Sequence, residues 1–395
     1  MAYANASDAI GYPAIDGAFE IRLHHGLAEI TELANPWQAL EKNNPMPTFF
    51  QSYGWCLYIY HHMAKTGSEG DMQPVVSTAW KGERLIAVWP LAVRRHSGAR
   101  VLFSLGAPFD QYADLLIDSS ANRQQVLNTL ITALRKERLA DGLILRKVRL
   151  TGAAFELGNL GAQIIDEGES APQVSFDITA PFSEYLKTIS SKTRKNLRNY
   201  KNRLARLGKV EHRVLTGKDM APAIAQTYDG RRQWLDAKGM SSAAFRDGHF
   251  EEFVRGLTDA DVSPTGLVIF ALMLDERMIA LQWGFIHEGR YYAYLSSRDP
   301  EFETYSAGRI HLQYVLEACH GMGIGVADLM VPAVPYKMTW TDVADPLVDI
   351  VWPWTGRGYF ALNLYEQSLR PRLKRIVKKL PLGVRRLIFS SVNGN

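Results

Sequence analysis

The chain has 395 residues, more than one hydrophobic core ordinarily serves, so two domains of similar size are expected. Apolar residues make up 47% and charged residues 22%, which excludes a disordered chain, and a formal charge of +4 is too small for a dedicated nucleic-acid binder. The two cysteines, Cys56 and Cys319, exclude a disulfide scaffold or a cysteine-built zinc site and suit a reducing compartment.

The opening MAYANASDAIGYPAIDG lacks the basic start and apolar core of a signal peptide, and no apolar run approaches a membrane span. A cytoplasmic protein is therefore expected, peripheral at the inner membrane if its basic tail binds lipid. TFFQSYGWCLYIYHHMA, residues 48–64, predicts a helix, with Trp55 as a core residue. VVSTAWKGERLIAVWPLA, residues 75–92, is two apolar runs around a polar turn and predicts a β-hairpin. A strand over 100–104, a helix over 121–139, Gly142 and a strand LILRKVRL come next.

Residues 190–208, SSKTRKNLRNYKNRLARLG, carry seven cations and no acid. Leu197, Tyr200, Leu204 and Leu207 fall on one stripe, which predicts an amphipathic helix capped by Ser190 or Ser191. Lys192, Arg194 and Lys195 crowd its first turn, where the helix dipole disfavours cations and a small anionic partner would relieve the cost. Arg194 and Arg198 are the expected contacts to phosphate; the alternative is a solvated basic face. A second helix is expected in MAPAIAQTYDGRRQWLDAKG.

Residues 268–285, VIFALMLDERMIALQWGF, then repeat the first hairpin. Aligned without a gap, Val75 meets Val268, Glu83 meets Glu276, Arg84 meets Arg277, Ile86 meets Ile279 and Ala87 meets Ala280. A strand RYYAYLSS, a helix over 307–321 and a strand VADLM come after, as in the first half. The reading is an α/β (α+β) chain of duplicated domains, 1–178 and 179–355, with a basic amphipathic tail over 356–395. The join is expected around Asp177 to Pro181, with the halves packed together.

FFQSYGW, LGAPFDQYADLLID, the basic opening of the second half, DPEFETYSAGRIHLQYVLEAC, and ADLM followed by PYKMTW occur in an order that resembles the CelD/BcsL group of GNAT-like acyltransferases, distant relatives of the FemAB aminoacyl transferases. The resemblance spans most of residues 48–341. It implies tandem GNAT-like domains, each a mixed sheet flanked by helices, with acyl-CoA as co-substrate in the second and no permanently bound cofactor. It also implies transfer of the acyl group to an amine, or occasionally to a hydroxyl.

In such a fold two parallel strands splay around the thioester arm, and the pyrophosphate rests on the N-terminus of the next helix. Here that helix start is Tyr305-Ser306-Ala307-Gly308-Arg309-Ile310, with Ser306 as cap, Gly308 admitting a phosphate, and Arg309 or Arg298 adding charge. The usual superfamily pattern survives only at its first glycine; alternatively Gly308 merely relieves crowding. Tyr336 is expected to protonate the leaving thiolate, and Lys337 to bind a phosphate or steady the acceptor. Asp328 is a candidate base, or a carboxylate that fixes a loop.

The acceptor is expected between the domains, with Asp110, Tyr112 and Asp114 of PFDQYADLL holding an ammonium or sugar hydroxyls; the alternative for Asp110 is an Asx-type turn. The pairs His24-His25 and His61-His62 lack metal-ligand spacing, so no metal is expected. In the tail, Leu373, Ile376, Val377 and Leu380 recur at helical spacing among eight cations. That pattern suits an interfacial helix on anionic lipid, or a terminal helix packed on its own domain.

An acyl-CoA-dependent N-acyltransferase is the leading expectation. Its acceptor would be a lipid-like amine, as in a ceramide-synthase-type reaction, or an amino sugar of the cell envelope or an exopolysaccharide. The other readings are a FemAB-like transfer from charged tRNA, against which stands the lack of a sustained heptad, and a non-catalytic nucleic-acid-binding protein. Nucleic acid is not expected as a partner, since only Tyr200 among the aromatics interleaves the basic stretch.

Overall fold

A computed structural model describes residues 10–12, 19–44, 48–66, 72–237, 245, 248–259 and 264–369. The chain divides into two compact units, one running to Gly168 and resuming at Leu347, the other spanning Glu169–Pro346. The division falls at 168 and 347, rather than near 178 and 355. The strand Ala344–Pro353, which no clear sequence pattern signals, carries the chain back into unit 1.

Unit 1 contains β1 (Ile10–Tyr12), β2 (Glu20–His24), β3 (Met72–Lys81), β4 (Arg84–His96), β5 (Ala99–Ser104), β6 (Leu116–Ile117) and β7 (Gly142–Arg149). Unit 2 contains β8 (Gln163–Ser175, begun in unit 1), β9 (Val210–Leu215), β10 (Leu267–Leu274), β11 (Arg277–His287), β12 (Arg290–Arg298) and β13 (Val326–Asp328); β14 is Ala344–Pro353. The sheet of unit 1 runs β1-β2-β3-β4-β5-β7-β14 with β6 on β4, and that of unit 2 runs β8-β13-β12-β11-β10-β9. Each holds one parallel pair, β5 with β7 and β12 with β13, in otherwise antiparallel ladders.

The sequence repeat is a repeat of register. In unit 1 Val75 faces Leu91 and Ala79 faces Ala87, then the ladder slips and Trp80 faces Leu85. In unit 2, 193 positions on, Val268 faces Gly284 and Leu272 faces Ala280, and the ladder slips so that Met273 faces Met278. The left-handed position of the hairpin turn is Gly82 in one and Asp275 in the other, residue types that tolerate it. In both, the isoleucine of the echo accepts a backbone bond: Asp118 N–H to Ile86 O at 2.8 Å, and Asp299 N–H to Ile279 O at 2.9 Å. Arg84 and Arg277, also matched, clamp those same aspartates. A slip, a turn, a backbone bond and an ion pair held in common are the mark of duplication.

Helices flank each sheet. Tyr53–Thr66 and Arg123–Lys136 lie in unit 1, where Val126, Leu127, Leu130 and Leu134 bury one helical face against Trp89 and Leu143. Unit 2 carries Phe182–Thr188, Ser191–Leu204, Met220–Ala237, His249–Gly256 and Ala307–Gly321. Residues 307–321 form a helix with the predicted bounds. Among the described residues no helix is long and apolar enough to cross a membrane. The basic tail from 370 onward lies outside the described residues.

Candidate active site

In unit 2 the parallel pairing of β12 with β13 lasts three residues, Arg290–Tyr292 against Val326–Asp328. β12 then continues to Arg298 on β11 alone, because β13 has ended. Its edge from Ala293 to Arg298 thus faces away from β11 without a strand partner, which is the splay that the resemblance implies. An unpaired strand edge offers amide N–H and C=O groups to a ligand.

The helix Ala307–Gly321 begins close to the end of that edge. Ser306 occupies the cap position in the left-handed region, at φ 56°, and its side chain makes no capping hydrogen bond, contrary to the expected role. Its carbonyl instead accepts from Arg309 N at 2.9 Å and Ile310 N at 3.2 Å. The first-turn N–H groups of Ala307 and Gly308 have no partner within the helix, as at any helix start, and they carry the positive end of its dipole. A Cβ on Gly308 would lie 3.4 Å from Arg298 Cδ, so the Arg298 stem lies against this helix start. The Arg298 guanidinium reaches Glu303 at 3.2 Å. Arg309 is exposed.

The loop after β13 supplies the next groups. Asp328 is fully buried, accepts from Met330 N at 2.9 Å and lies 3.6 Å from Arg290. Arg290 also donates to Gln173 at 3.0 Å. Met330 sits in the left-handed region at φ 58°, and its carbonyl accepts from Lys337 Nζ at 2.8 Å. Asp328, Met330 and Lys337 therefore form one chain of hydrogen bonds that shapes the loop. Trp340, 3% exposed, anchors its far end, and its carbonyl accepts from the Tyr185 hydroxyl at 2.5 Å.

Burial lowers the Lys337 ammonium to about 8; Asp328 opposes the shift and Arg231 reinforces it. Burial raises the Tyr336 phenol above its ordinary value, while Arg231 and Arg298 pull it back. Tyr336 thus keeps its proton at neutral pH among three cations, Arg231, Arg298 and Lys337. Arg231 comes from the helix Met220–Ala237 and packs over Trp234 at 4.5 Å. Burial lowers its pKa, and the partner that offsets burial is the Tyr336 hydroxyl rather than a carboxylate. Arg231 is not among the residues expected from sequence. The signal that could have found it is its spacing from the buried Tyr228 and Leu235, which puts it, unlike the exposed Arg232, on the inward register of the helix.

The basic helix Ser191–Leu204 is capped by Ser190, whose hydroxyl accepts from Thr193 N at 3.1 Å. Leu197 and Leu204 are buried and Tyr200 is partly so, but Leu207 lies past the helix end and is 46% exposed, a correction to the expected stripe. The helix packs on the 307–321 region through Lys201 over Tyr314, at 4.4 Å, and Arg203 over Tyr305, at 5.3 Å. Arg194 and Arg198 are exposed.

The three candidates of unit 1 are interior. Asp110 accepts from Trp55 Nε1 at 2.6 Å and from Ser104 Oγ. Burial pushes its carboxyl up to about 6 against those bonds. Gly106 is required beside it, since a Cβ there would come within 1.9 Å of Asp110 Oδ1. Tyr112 is 3% exposed, with Arg149 stacked 3.9 Å above its ring. Asp114 accepts from Leu115 N at 2.9 Å and Ala154 N at 2.8 Å, and burial raises it likewise to about 6. Each spends its polar atoms on its own unit. No group of three or more histidines, cysteines or acids able to hold a metal occurs among the described residues.

Comparison with known proteins agrees with this geometry. Residues 191–338 match the family described as an acetyltransferase (GNAT) domain, a span that contains the splayed edge, the open helix start and the Tyr336 loop. FemX superposes with a TM-score of 0.58 at 11% identity, over 82% of this chain and 97% of that one. The C-terminal DUF2156 domain of a protein assigned as lysylphosphatidylglycerol synthetase from Agrobacterium fabrum superposes at 0.51 and 13% identity, over 86% and 97%. At such identities these two structures are alike in fold. No curated protein matches in sequence.

Proposed function

With a GNAT acetyltransferase domain over residues 191–338, the chain is an acyltransferase, and from that premise we propose that it moves an acyl group from a CoA thioester to an amine. The observation that carries the reading is the unpartnered edge of β12, ending at Arg298 beside the open N-terminus at Ala307 and Gly308. A thioester arm takes the edge, and the pyrophosphate takes the helix start, where backbone N–H groups and the dipole favour an anion.

Amine nitrogen attacks the thioester carbonyl, the C–S bond breaks, and the thiolate needs a proton. Tyr336 holds one, and its raised pKa keeps the phenol neutral until a thiolate forms nearby. Lys337, near half-charged at about pH 8, suits a group that binds a phosphate or steadies the acceptor. Asp328 is already engaged by Met330 and Arg290, which supports a positioning role in preference to that of base. The acceptor is placed in the class of lipid-like amines or amino sugars, consistent with the CelD/BcsL resemblance.

A second reading, transfer of an aminoacyl group from charged tRNA, is favoured by the exposed Lys192, Arg194, Lys195 and Arg198 on the basic helix. Calorimetric titration with acetyl-CoA, a long-chain acyl-CoA and tRNA separates the two. Binding of either thioester with no response to tRNA is expected; the reverse pattern overturns the CoA reading.

A further inference from the structure

The short helix Gly356–Tyr359, continued by Phe360–Leu369, comes after β14 in unit 1 and has two dissimilar faces. One is locked inward. Ala361 is 2% exposed and Leu362 fully buried against Val101, Ile144 and Val351. Gly358 meets the chain so closely that a Cβ would come within 1.9 Å of Asp141 O. Thr355 caps the start through Gly358 N at 3.0 Å, and its hydroxyl donates to Asp141 at 2.8 Å.

The other face leaves large apolar side chains in water: Tyr359 is 62% exposed, Phe360 68% and Leu364 44%. Tyr359 and Phe360 are the two most exposed large hydrophobics among the described residues. Their exposure is not a loose end of folding, because the neighbours on either side, Gly358 and Ala361, fix the backbone.

The composition of the C-terminal segment decides the partner. Residues 370–395 contain Arg370, Arg372, Lys374, Arg375, Lys378, Lys379, Arg385 and Arg386 and no acid, with Leu373, Ile376, Val377 and Leu380 between. Since the whole chain has 45 cations and 41 acids, the other 369 residues hold 37 cations and carry a formal charge of −4. The body would be repelled from an anionic surface and only this end is drawn to one. Exposed aromatics at the root of a basic, apolar-studded segment match the chemistry of the lipid interface, where rings sit at headgroup depth and cations meet anionic headgroups.

We propose that Tyr359, Phe360 and Leu364, together with the cations C-terminal to them, form a docking surface for an anionic lipid bilayer. The inference stands apart from the acyl-transfer reading and is tested without it. Full-length protein is sedimented with vesicles of phosphatidylcholine alone and of phosphatidylcholine with phosphatidylglycerol. Binding to the anionic vesicles only, weakened by salt, is expected. Tyr359→Ser with Phe360→Ser should reduce the partition coefficient about tenfold at unchanged thermal melting.

Arg385→Glu with Arg386→Glu, which alters no described residue, should reduce it by a comparable factor, at about 1 kcal/mol per basic residue near the surface. Equal binding to both vesicle types, or none to either, overturns the proposal. So does tight tRNA binding without vesicle binding, or a dimer in light scattering that the Tyr359→Ser, Phe360→Ser variant abolishes while vesicles stay unbound.

Discussion

The two units share a register, so their ladders can be compared position by position, and the differences cluster at one place. Ala87 faces Ile117 in unit 1, and its counterpart Ala280 faces Arg298 in unit 2. The parallel pairs correspond as well: Val101 with Gly142 and Leu102 with Leu143 match Arg290 with Val326 and Tyr291 with Ala327. One step on, Ile144 of unit 1 stands where unit 2 has Asp328. Val101, Ile117 and Ile144 are buried apolar residues; Arg290, Arg298 and Asp328 are charged. The fold plainly does not need charge there, so the charges of unit 2 serve something else.

The strand beyond this point also differs. In unit 2 four residues separate Tyr292 from Ser297 along one continuous strand, while in unit 1 the equivalent Phe103 and Leu116 are separated by twelve. The excursion contains Asp110, Tyr112 and Asp114, and Asp114 ties it to Ala154, beyond the end of β7. Where unit 2 leaves a splayed edge open, unit 1 bridges the corresponding region with its own chain. One copy has kept a ligand-sized gap and the other has turned it into structure.

The largest effect that would test this contrast is at Tyr336. Tyr336→Phe is expected to lower kcat by about a hundredfold or more, the scale of a lost general acid, with CoA affinity near that of the parent. Unchanged turnover would remove the proton donor from unit 2 and with it much of the contrast.

Next comes Arg298→Ile, which gives unit 2 the residue of unit 1. Loss of charge-assisted contacts worth about 1.5–3 kcal/mol corresponds to a roughly 10- to 100-fold weaker dissociation constant for CoA in calorimetry. Lys337 sharpens the same point through pH. Because its folded pKa is lowered to about 8, its charge is lost as pH rises through that value. CoA affinity should therefore decline between pH 7 and 9, and Lys337→Met should flatten the decline.

Much of this is legible in the chain itself, and what escapes has physical causes. The hairpins, the repeat and the 307–321 helix come from strong periodicity and are readable from single residues such as Val75 and Val268. β14 escapes because Asp345, Pro346 and Asp349 interrupt its apolar run, and its partner β7 lies some two hundred residues away. Asp110, Asp114 and Tyr112 look like ligand contacts because polar residues clustered in a loop suggest a site. Sequence alone does not show that Trp55, Ser104 and Ala154 already claim those atoms. Arg231 escapes for the opposite reason, since a lone arginine in a helix carries no motif.

Unit 1 gives the smaller tests. Burial raises Asp110 and Asp114 to about 6 from an ordinary 3.8. The folded state therefore holds protons that the unfolded state has released, and these two groups contribute stability that falls as pH rises from about 4 to about 6. Asp110→Asn with Asp114→Asn removes that fall. The melting temperature of the variant relative to the parent should climb across this window while CoA affinity stays constant. A change in CoA affinity would mean that unit 1 touches the ligand.

The smallest effect is the most direct comparison of the two helix starts. In unit 1 Asn122 Oδ1 accepts from Gln125 N at 3.0 Å, closing the N-terminus of Arg123–Lys136 with the protein's own side chain. In unit 2 Ser306 occupies the same kind of position with no such bond. Asn122→Ala should therefore cost about 1 kcal/mol, read as a lower melting temperature, with no effect on CoA binding. Ser306→Ala should leave the free protein's melting temperature nearly unchanged, because there is no cap to lose. If Ser306→Ala destabilises as much as Asn122→Ala, the second helix is closed like the first and the phosphate cannot rest there. If it does not, the open end is a standing cost of unliganded N–H groups, and saturating CoA should raise the melting temperature of both the parent and the Asn122→Ala variant.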